Sequence, residues 1–399
     1  MTASLGRQTS ARFSMAGSFV RGAAIAAKDR VRPRDCLLHD DIPASLECIT
    51  PGWLTEVLQR EVAGSVVESV VVDATSKGTS VRGRLNLRYR EQRCGQPATL
   101  FAKTASTFTT RVANGASGTA STEAGFYQHL RQRLSVEAPR NYHCAADHRS
   151  WRSIHIVEDL VETKGATFGT PKVVISAGHA EKMMEQLAVL HAEGTRMPEV
   201  SRQPPQWLRS YSEWWQRALL VGGVQRGHLR GVAAAVDAGV AQPALRGRGR
   251  ELWQGFTRSV AAHRDLPKTL LHGDAHLGNW YTTADGEMGL CDWQCVSVGH
   301  WSRDLAYTLV SALDVDQRRA WERELIQLYL ERLRELSATP VKFDSAWRAY
   351  RLQVLGALLM WTPVYRPPAF LPDMQPVEVV EEMLRRITTA VVDLESLAA

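Results

Sequence analysis

The chain has 399 residues, 44% hydrophobic and 23% charged, which is the make-up of a globular protein and excludes a disordered or collagen-like one. Its net charge of +6 is concentrated at one end: residues 1–40 hold seven Lys or Arg against three Asp or Glu, leaving +2 for the rest. A body so nearly neutral shows no nucleic-acid footprint, and its longest apolar run, Val354 to Trp361, falls short of the roughly 18 residues that span a bilayer.

Residues 1–40 read as a flexible basic segment. The first 28 contain no acid and several Arg and Ser, which also suits a mitochondrial transit peptide. Six cysteines are scattered without a CxxC spacing, so reduced thiols and a cytoplasmic location are expected, with no membrane partner.

From Val66 to Val72 a β-branched run predicts a strand. After the turn-like stretch Ser76 to Ser80, Val81 to Arg90 alternates: Val81, Gly83, Leu85, Leu87 and Tyr89 on one face, Arg82, Arg84, Asn86, Arg88 and Arg90 on the other. That period of two marks a half-buried strand. Thr99 to Ala105 follows beyond Gly95-Gln96-Pro97, giving an antiparallel meander. Residues 107–118 read as a loop. A helix follows, with Phe126, Tyr127, Leu130 and Leu134 on one stripe and Glu123 projecting from the same side. Another strand, Trp151 to Val157, runs into Glu158-Asp159-Leu160. From there the periodicity turns helical, over Ala180 to His191, Pro205 to Leu220, Arg318 to Leu336, Ser345 to Trp361 and Val377 to Leu397. Strands first and helices afterwards predict an α+β chain in two lobes.

One island interrupts the helices: Leu270-Leu271-His272-Gly273-Asp274-Ala275-His276-Leu277-Gly278-Asn279, then two short apolar stretches around Asp285-Gly286, ending at Asp292. Asp-Gly between such stretches signals a two-residue hairpin turn. That register pairs Ala284 with Glu287 and Asn279 with Asp292, whose Cβ atoms would lie about 5 Å apart. An amide oxygen and a carboxylate at that separation suit Mg²⁺, which takes oxygen ligands and keeps sites for phosphates and water. Asp274 would stand at the mouth of that site.

An Asp followed five residues later by Asn, then a hairpin to a second Asp, is the pattern of kinase catalytic loops. The form His272-Gly273-Asp274-x-His276-x-x-Asn279, with Asp292-Trp293, Gly299 and Asp304-Leu305-Ala306, resembles the aminoglycoside phosphotransferase and choline kinase family, and especially its ecdysteroid-kinase-like branch. Upstream, Phe101-Ala102-Lys103 looks like the phosphate-pairing lysine strand, Glu123 like its helix partner and Glu158-Asp159-Leu160 like the hinge. The resemblance covers roughly residues 65–310 and implies a protein-kinase-like fold with an antiparallel-sheet N-lobe (41–157), a hinge (158–161) and a mainly helical C-lobe (162–399) holding the catalytic loop and acceptor site.

It also implies an ATP- and Mg²⁺-dependent enzyme that phosphorylates a small-molecule hydroxyl. Asp274 would take the hydroxyl proton, Asn279 and Asp292 would hold Mg²⁺, and Lys103, fixed by Glu123, would pair the α- and β-phosphates. Backbone groups at Glu158, Asp159 and Leu160 would receive adenine, and Gly78, Thr79 and Ser80 would approach the phosphates despite lacking GxGxxG. His272 and Asp304 would support the catalytic loop, and His276 leans the same way. Asp292-Trp293-Gln294 in place of Asp-Phe-Gly, and no Ala-Pro-Glu, argue against a protein kinase. His191, on a stripe with Met184 and Leu187, reads as a core histidine. Trp207, Trp214, Trp215 and Trp361 lie where this family builds its acceptor pocket; they and the lack of an acidic cluster favour an apolar or mixed acceptor. Two other readings stay open: a nucleotide-binding pseudokinase scaffold, and a metallohydrolase with Zn²⁺ on His272, Asp274 and His276.

Overall fold

The computed structural model describes residues 40–399 apart from 78–79, 106–107, 203, 221–222, 339 and 368–373, together with residues 22, 24–25 and 27–28. Nearly all of the basic segment, and the phosphate-loop candidates Gly78 and Thr79, therefore lie outside the described residues. The chain divides into two compact units, one ending at Thr163 and the other starting at Lys164, with Gln132–Ala138 grouped in the second.

The first unit is a five-stranded antiparallel sheet with two faces of different character. A helix α1 (Pro51–Leu58) precedes it, started by Thr50, whose hydroxyl accepts the Trp53 amide, and by Pro51 in the first turn. The strands are β1 (Val67–Lys77), β2 (Val81–Tyr89) and β3 (Thr99–Thr104), then, beyond helices α2 (Phe108–Ser117) and α3 (Thr119–Gly125), β4 (Asn141–Ala146) and β5 (Ser153–Glu158). Their spatial order is β1-β2-β3-β5-β4. Val81, Leu85, Leu87, Leu100, Ala102, Ile154 and Ile156 turn to one face and pack on Trp53, Leu54, Val57 and Leu58 of α1; each Val, Leu or Ile among them is worth about 2 kcal/mol when withdrawn from water.

Two local expectations fail here. Residues 108–117, read as loop, form α2; the stretch Phe-Thr-Thr-Arg-Val-Ala-Asn-Gly-Ala-Ser has weak helix propensity, and its buried Arg111 ties it to the carbonyls of Ala105 and Ala44, both at 3.1 Å. The strand β4 was not foreseen, because it is an edge strand with only Cys144 fully buried and no β-branched residue.

The second unit is mainly helical. It contains β6 (Thr167–Phe168), α4 (Ala177–Arg196), α5 (Tyr211–Leu220), α6 (Val224–Asp237), α7 (Gly249–Ala262), then the short strands β7 (Thr269–Leu271), β8 (Trp280–Thr282), β9 (Met288–Leu290) and β10 (Ser297–Gly299), and finally α8 (Ser302–Ala312), α9 (Val315–Ser337), α10 (Phe343–Trp361) and α11 (Val377–Asp393). Helix α9 packs on α4, while α7, α8 and α11 pack on α10. All eleven residues of α8 are buried, so it is the axis of the unit. Among the described residues, no helix is long and apolar enough to cross a membrane.

The β8–β9 hairpin differs from expectation by one residue. Trp280 pairs with Leu290, Tyr281 with Gly289 and Thr282 with Met288, so the loop is the three-residue Ala284-Asp285-Gly286. Gly286 takes the left-handed conformation (φ +76°) while Asp285 does not, which rules out the two-residue type I′ turn and matches a type I turn closed by glycine. The amide of Ala284 is tied to the Lys164 carbonyl at 2.8 Å. Asn279 therefore faces Cys291, whose amide it receives at 2.9 Å, and Asp292 comes one residue later.

Candidate active site

In the sheet unit the register sets Lys103 on β3 between Arg82 on β2 and His155 on β5. Opposed residues share a face, so the three form a row on the side away from α1. Lys103 Nζ donates to Glu123 Oε2 at 2.8 Å, with both side chains nearly buried, and His155 Nε2 lies 3.7 Å from the same oxygen. Such a pair gains little net stability, but removing one partner strands a buried charge; its effect is to fix where the lysine points.

Asp159 gives its carboxylate to Arg84, at 2.5 Å from Nε and 3.3 Å from Nη2. Glu158 accepts the Arg140 amide at 2.9 Å and the Thr163 hydroxyl at 2.8 Å. Both carboxylates thus bind the chain to itself, and Arg84 and His155 are additions that sequence reading missed. Ser80 is buried, and its hydroxyl has no hydrogen-bond partner.

In the helical unit the loop after β7 is held from several sides. Asp304, fully buried on α8, accepts the His272 amide at 2.6 Å and the Gly273 amide at 2.9 Å. His191 Nε2 lies 3.3 Å from the same carboxylate, and its Nδ1 lies 2.9 Å from the Tyr329 hydroxyl. Burial pushes the Asp304 carboxyl up, but the hydrogen bond and charge of His191, with His272 and the Gly273 amide, hold it below the usual range. The neighbouring Arg303 donates Nη2 to the Gly273 carbonyl at 3.1 Å. Gly273 itself has φ +81°, and a Cβ there would lie 2.2 Å from the Cys295 carbonyl oxygen, so only glycine fits.

This grip on the backbone presents Asp274. Its backbone carbonyl accepts Asn279 Nδ2 at 2.8 Å, which turns the Asn279 oxygen the other way. Burial, and then the charge of Asp292, raise the Asp274 carboxyl from 3.8 to about 7, against the opposing effects of Arg303, Asn279 and Tyr307. Asp292 is left-handed (φ +61°), a conformation that Asp tolerates better than most residues; it breaks the hairpin there.

His272 places Nε2 3.0 Å from the Cys291 carbonyl and accepts the Asp274 amide on Nδ1 at 3.3 Å. With both ring nitrogens engaged it cannot ligate a metal, which removes the zinc hydrolase reading. His276 accepts the Gly278 amide on Nδ1 at 3.0 Å, and its Nε2 stands 4.0 Å from Asp274. Trp361 packs edge-on against His276, 5.2 Å between centroids. Trp214 and Trp215 belong instead to an apolar cluster with Tyr211, Phe256, Leu271 and Leu359, and Trp207 is half-buried.

The sequence did hold one signal for Arg303. A charged pair, Arg303-Asp304, opens a helix that is otherwise apolar or small, and charges rarely sit fully buried unless partnered. Asp304→Ala is expected to cost about 3–5 kcal/mol, since it leaves two amides and His191 without their acceptor; urea unfolding at pH 7.5 measures it, and Asp304→Asn, which keeps one oxygen, should cost less.

A search of curated proteins finds no match. Solved structures similar to the chain include an aminoglycoside phosphotransferase from Streptomyces rimosus (14% identity, 77% of this chain and 97% of that one, TM-score 0.39), an ethanolamine kinase from Plasmodium vivax (11%, 85% and 87%, 0.48) and a choline kinase from Streptococcus pneumoniae (14%, 86% and 98%, 0.44). The profile of the phosphotransferase enzyme family matches residues 95–340, a stretch that takes in Lys103, Glu123, Asp274, Asn279, Asp292 and Asp304. More than half of the sequence lies within that match, and the chain belongs to the phosphotransferase enzyme family.

Proposed function

We propose that the protein transfers the γ-phosphoryl group of ATP, with Mg²⁺, to a hydroxyl of a small molecule. The observation that carries this reading is Asp274: a buried carboxylate held near neutrality, on a loop gripped through the backbone by Asp304 and Arg303. A group whose pKa lies near the working pH is suited to accept a proton in the transition state.

The donor set fits Mg²⁺. Asn279 spends its nitrogen on Asp274 and keeps its oxygen, and Asp292 places a second negative charge near Asp274, an arrangement that a hard divalent cation relieves. When bound, Mg²⁺ neutralises phosphate charge and orients the leaving group. Lys103, aimed by Glu123, pairs the α- and β-phosphates, and the Ser80 hydroxyl is a further candidate for a phosphate contact. Backbone groups of Glu158 to Leu160 receive adenine, where the Arg84–Asp159 pair stiffens the chain. Asp274 orients the acceptor hydroxyl and takes its proton, and phosphoryl transfer asks for little more than this positioning and neutralisation. His276, beside Asp274, and Trp361 packed on it give the acceptor's surroundings a mixed aromatic and polar character.

The test is ATP consumption against a panel of alcohols that includes aminoglycosides, choline-like amines, macrolides, steroids and sugars. Turnover is expected to vanish with EDTA, to return with Mg²⁺ and not with Zn²⁺, and to fall about 100-fold or more in Asp292→Ala. Thermal stabilisation by ATP that is indifferent to Mg²⁺ and to Asp292→Ala would sink the assignment and favour a scaffold.

A further inference from the structure

Every residue of α8 is buried, yet the helix carries a polar stripe: Arg303, Asp304, Tyr307, Thr308 and Ser311 recur at the spacing of one helix face. The stripe meets the loop after β7 almost residue by residue. Asp304 takes the amides of His272 and Gly273, and Arg303 donates to the Gly273 carbonyl. Thr308 donates its hydroxyl to the Ala275 carbonyl at 2.9 Å, and Ser311 accepts the Leu277 amide at 3.2 Å. These four hold loop backbone. Tyr307, in the middle of the stripe, differs: its hydroxyl reaches the side chain of Asp274 and favours the charged carboxylate as a hydrogen-bond donor does.

A third residue fixes the direction of that contact. The indole of Trp361, at the end of α10, approaches the Tyr307 hydroxyl as a hydrogen-bond partner, and an indole N–H can only donate. Tyr307 therefore accepts from Trp361 and turns its own proton to Asp274. Burial, and then the charge of Asp274, push the phenol well above its usual 10, so the proton stays on it. The ring is held as firmly as the oxygen. The Arg303 guanidinium carbon lies 4.3 Å from its centroid and the His276 ring 5.8 Å, and the side chain is buried.

A carboxyl group benefits from such a partner. The terminal torsion of Asp is broad, and two other donors stand near Asp274 at longer range. Asn279 Nδ2 is 3.4 Å from Oδ2, its better bond going to the backbone carbonyl at 2.8 Å, and His276 Nε2 is 4.0 Å from the same oxygen. A hydrogen bond to an ionised carboxylate is about twice as strong as one between neutral groups, and a donor carried on a buried helix cannot follow the carboxyl if it turns.

We propose that Tyr307 is a positioning residue for phosphoryl transfer: with its oxygen anchored by Trp361, its hydroxyl sets the plane of the Asp274 carboxyl and so aims that group at the acceptor hydroxyl. This rests on the reading of Asp274 as the base. Tyr307 keeps its proton throughout. The acceptor's proton passes to Asp274 as the acceptor oxygen bonds to the γ-phosphorus, and the bond from that phosphorus to the bridging oxygen breaks to leave ADP.

Two double-variant cycles test the assignment. Tyr307→Phe keeps the ring against Arg303 and removes only the hydroxyl. At about pH 8 it is expected to lower the thermal unfolding midpoint by about 4 °C in the wild-type chain, and by less than half of that in Asp274→Ala, where the acceptor is gone. Equal losses would mean that the two side chains are not joined, and overturn the proposal whether or not an acceptor has been found. In steady-state kinetics with an alcohol that is turned over, Tyr307→Phe should lower kcat roughly 10- to 100-fold, with KM for ATP and acceptor within about twofold of wild type. Trp361→Phe should lower kcat less, and the variant carrying both changes should be no slower than Tyr307→Phe alone. A loss expressed in KM, or losses that multiply when the two changes are combined, overturn the positioning role. Coupled stabilities with no turnover of any alcohol would reject the phosphotransferase reading and the positioning role with it, and would leave the bond between Tyr307 and Asp274 standing.

Discussion

Asp274→Asn is expected to reduce kcat about a thousandfold, the loss of a general base that acts in the transition state, with little change in affinity for Mg-ATP. The substitution is close to isosteric, and the Asn279 hydrogen bond goes to the backbone carbonyl of residue 274, so the loop keeps its anchor. The same variant should be more stable than wild type in alkali. The carboxyl is held at about 7 in the folded chain against 3.8 for an exposed one, so across that window the native state binds a proton that the unfolded state has released. Stability therefore falls as pH rises through the window, by about 1.4 kcal/mol per pH unit, and the asparagine variant escapes that loss. Denaturant melts at pH 4 and pH 8 should show the variant gaining chiefly at pH 8. The kcat/KM of wild type should rise through about pH 7 as free Asp274 ionises. If Asp274→Asn kept activity within tenfold of wild type, another group would have to be the base. An inactive variant that gains stability is what is expected where a site holds two carboxylates close together for chemistry instead of for folding.

What the sequence made legible depended on how local the determinant was. Lys103, Asp274, Asn279 and Asp292 stand out because short spacings expose them, and α4, α9, α10 and α11 stand out because their apolar stripes repeat. The hairpin between Asn279 and Asp292 was misread by one residue. Asp285-Gly286 suits a two-residue turn as well as a three-residue one, and the choice is made by a contact from outside, the Lys164 carbonyl on the Ala284 amide. Helix α6 escaped for a similar reason. Gly227 and Gly231 lower its propensity, yet a Cβ on Gly231 would fall 1.8 Å from the Thr362 carbonyl oxygen, so the glycine is set by a neighbour more than 100 residues away. The pair Arg303-Asp304 marks itself as buried charge in an apolar helix, but its grip on Gly273 has no sequence signature, because the loop it holds lies 30 residues away.

Acidification should destabilise the helical unit before its exposed carboxylates titrate. His228, His263 and His300 are all buried, and burial, the leading cause in each case, depresses them from 6.5 to about 4, about 4 and about 3 respectively. For His300 the nearby His263 and His191 add to the effect, and for His263 the charge of Arg303 does. Each is used as a neutral ring: His228 Nδ1 stands 2.8 Å from the Thr362 hydroxyl, and His300 Nδ1 2.7 Å from the Ser302 hydroxyl. Above pH 6.5 both folded and unfolded chains keep these rings neutral, and no penalty arises. Between 6.5 and the depressed values the unfolded chain binds up to three protons that the folded chain refuses, against the one that Asp274 keeps only in the folded chain, so stability falls with falling pH by as much as about 2.7 kcal/mol per unit. By pH 5 the loss approaches the lower end of the roughly 5–15 kcal/mol typical of a domain. Urea midpoints at pH 7.5, 6.5 and 5.5 should therefore drop steeply only below 6.5. His300→Asn, whose amide can stand in for the ring nitrogen facing Ser302, should flatten that slope by about half, one net proton in two. A slope unchanged by His300→Asn, or a midpoint flat down to pH 4.5, would mean that these rings accept protons inside the fold, and that polar groups around Ser302 and His263 solvate charge far better than their burial allows.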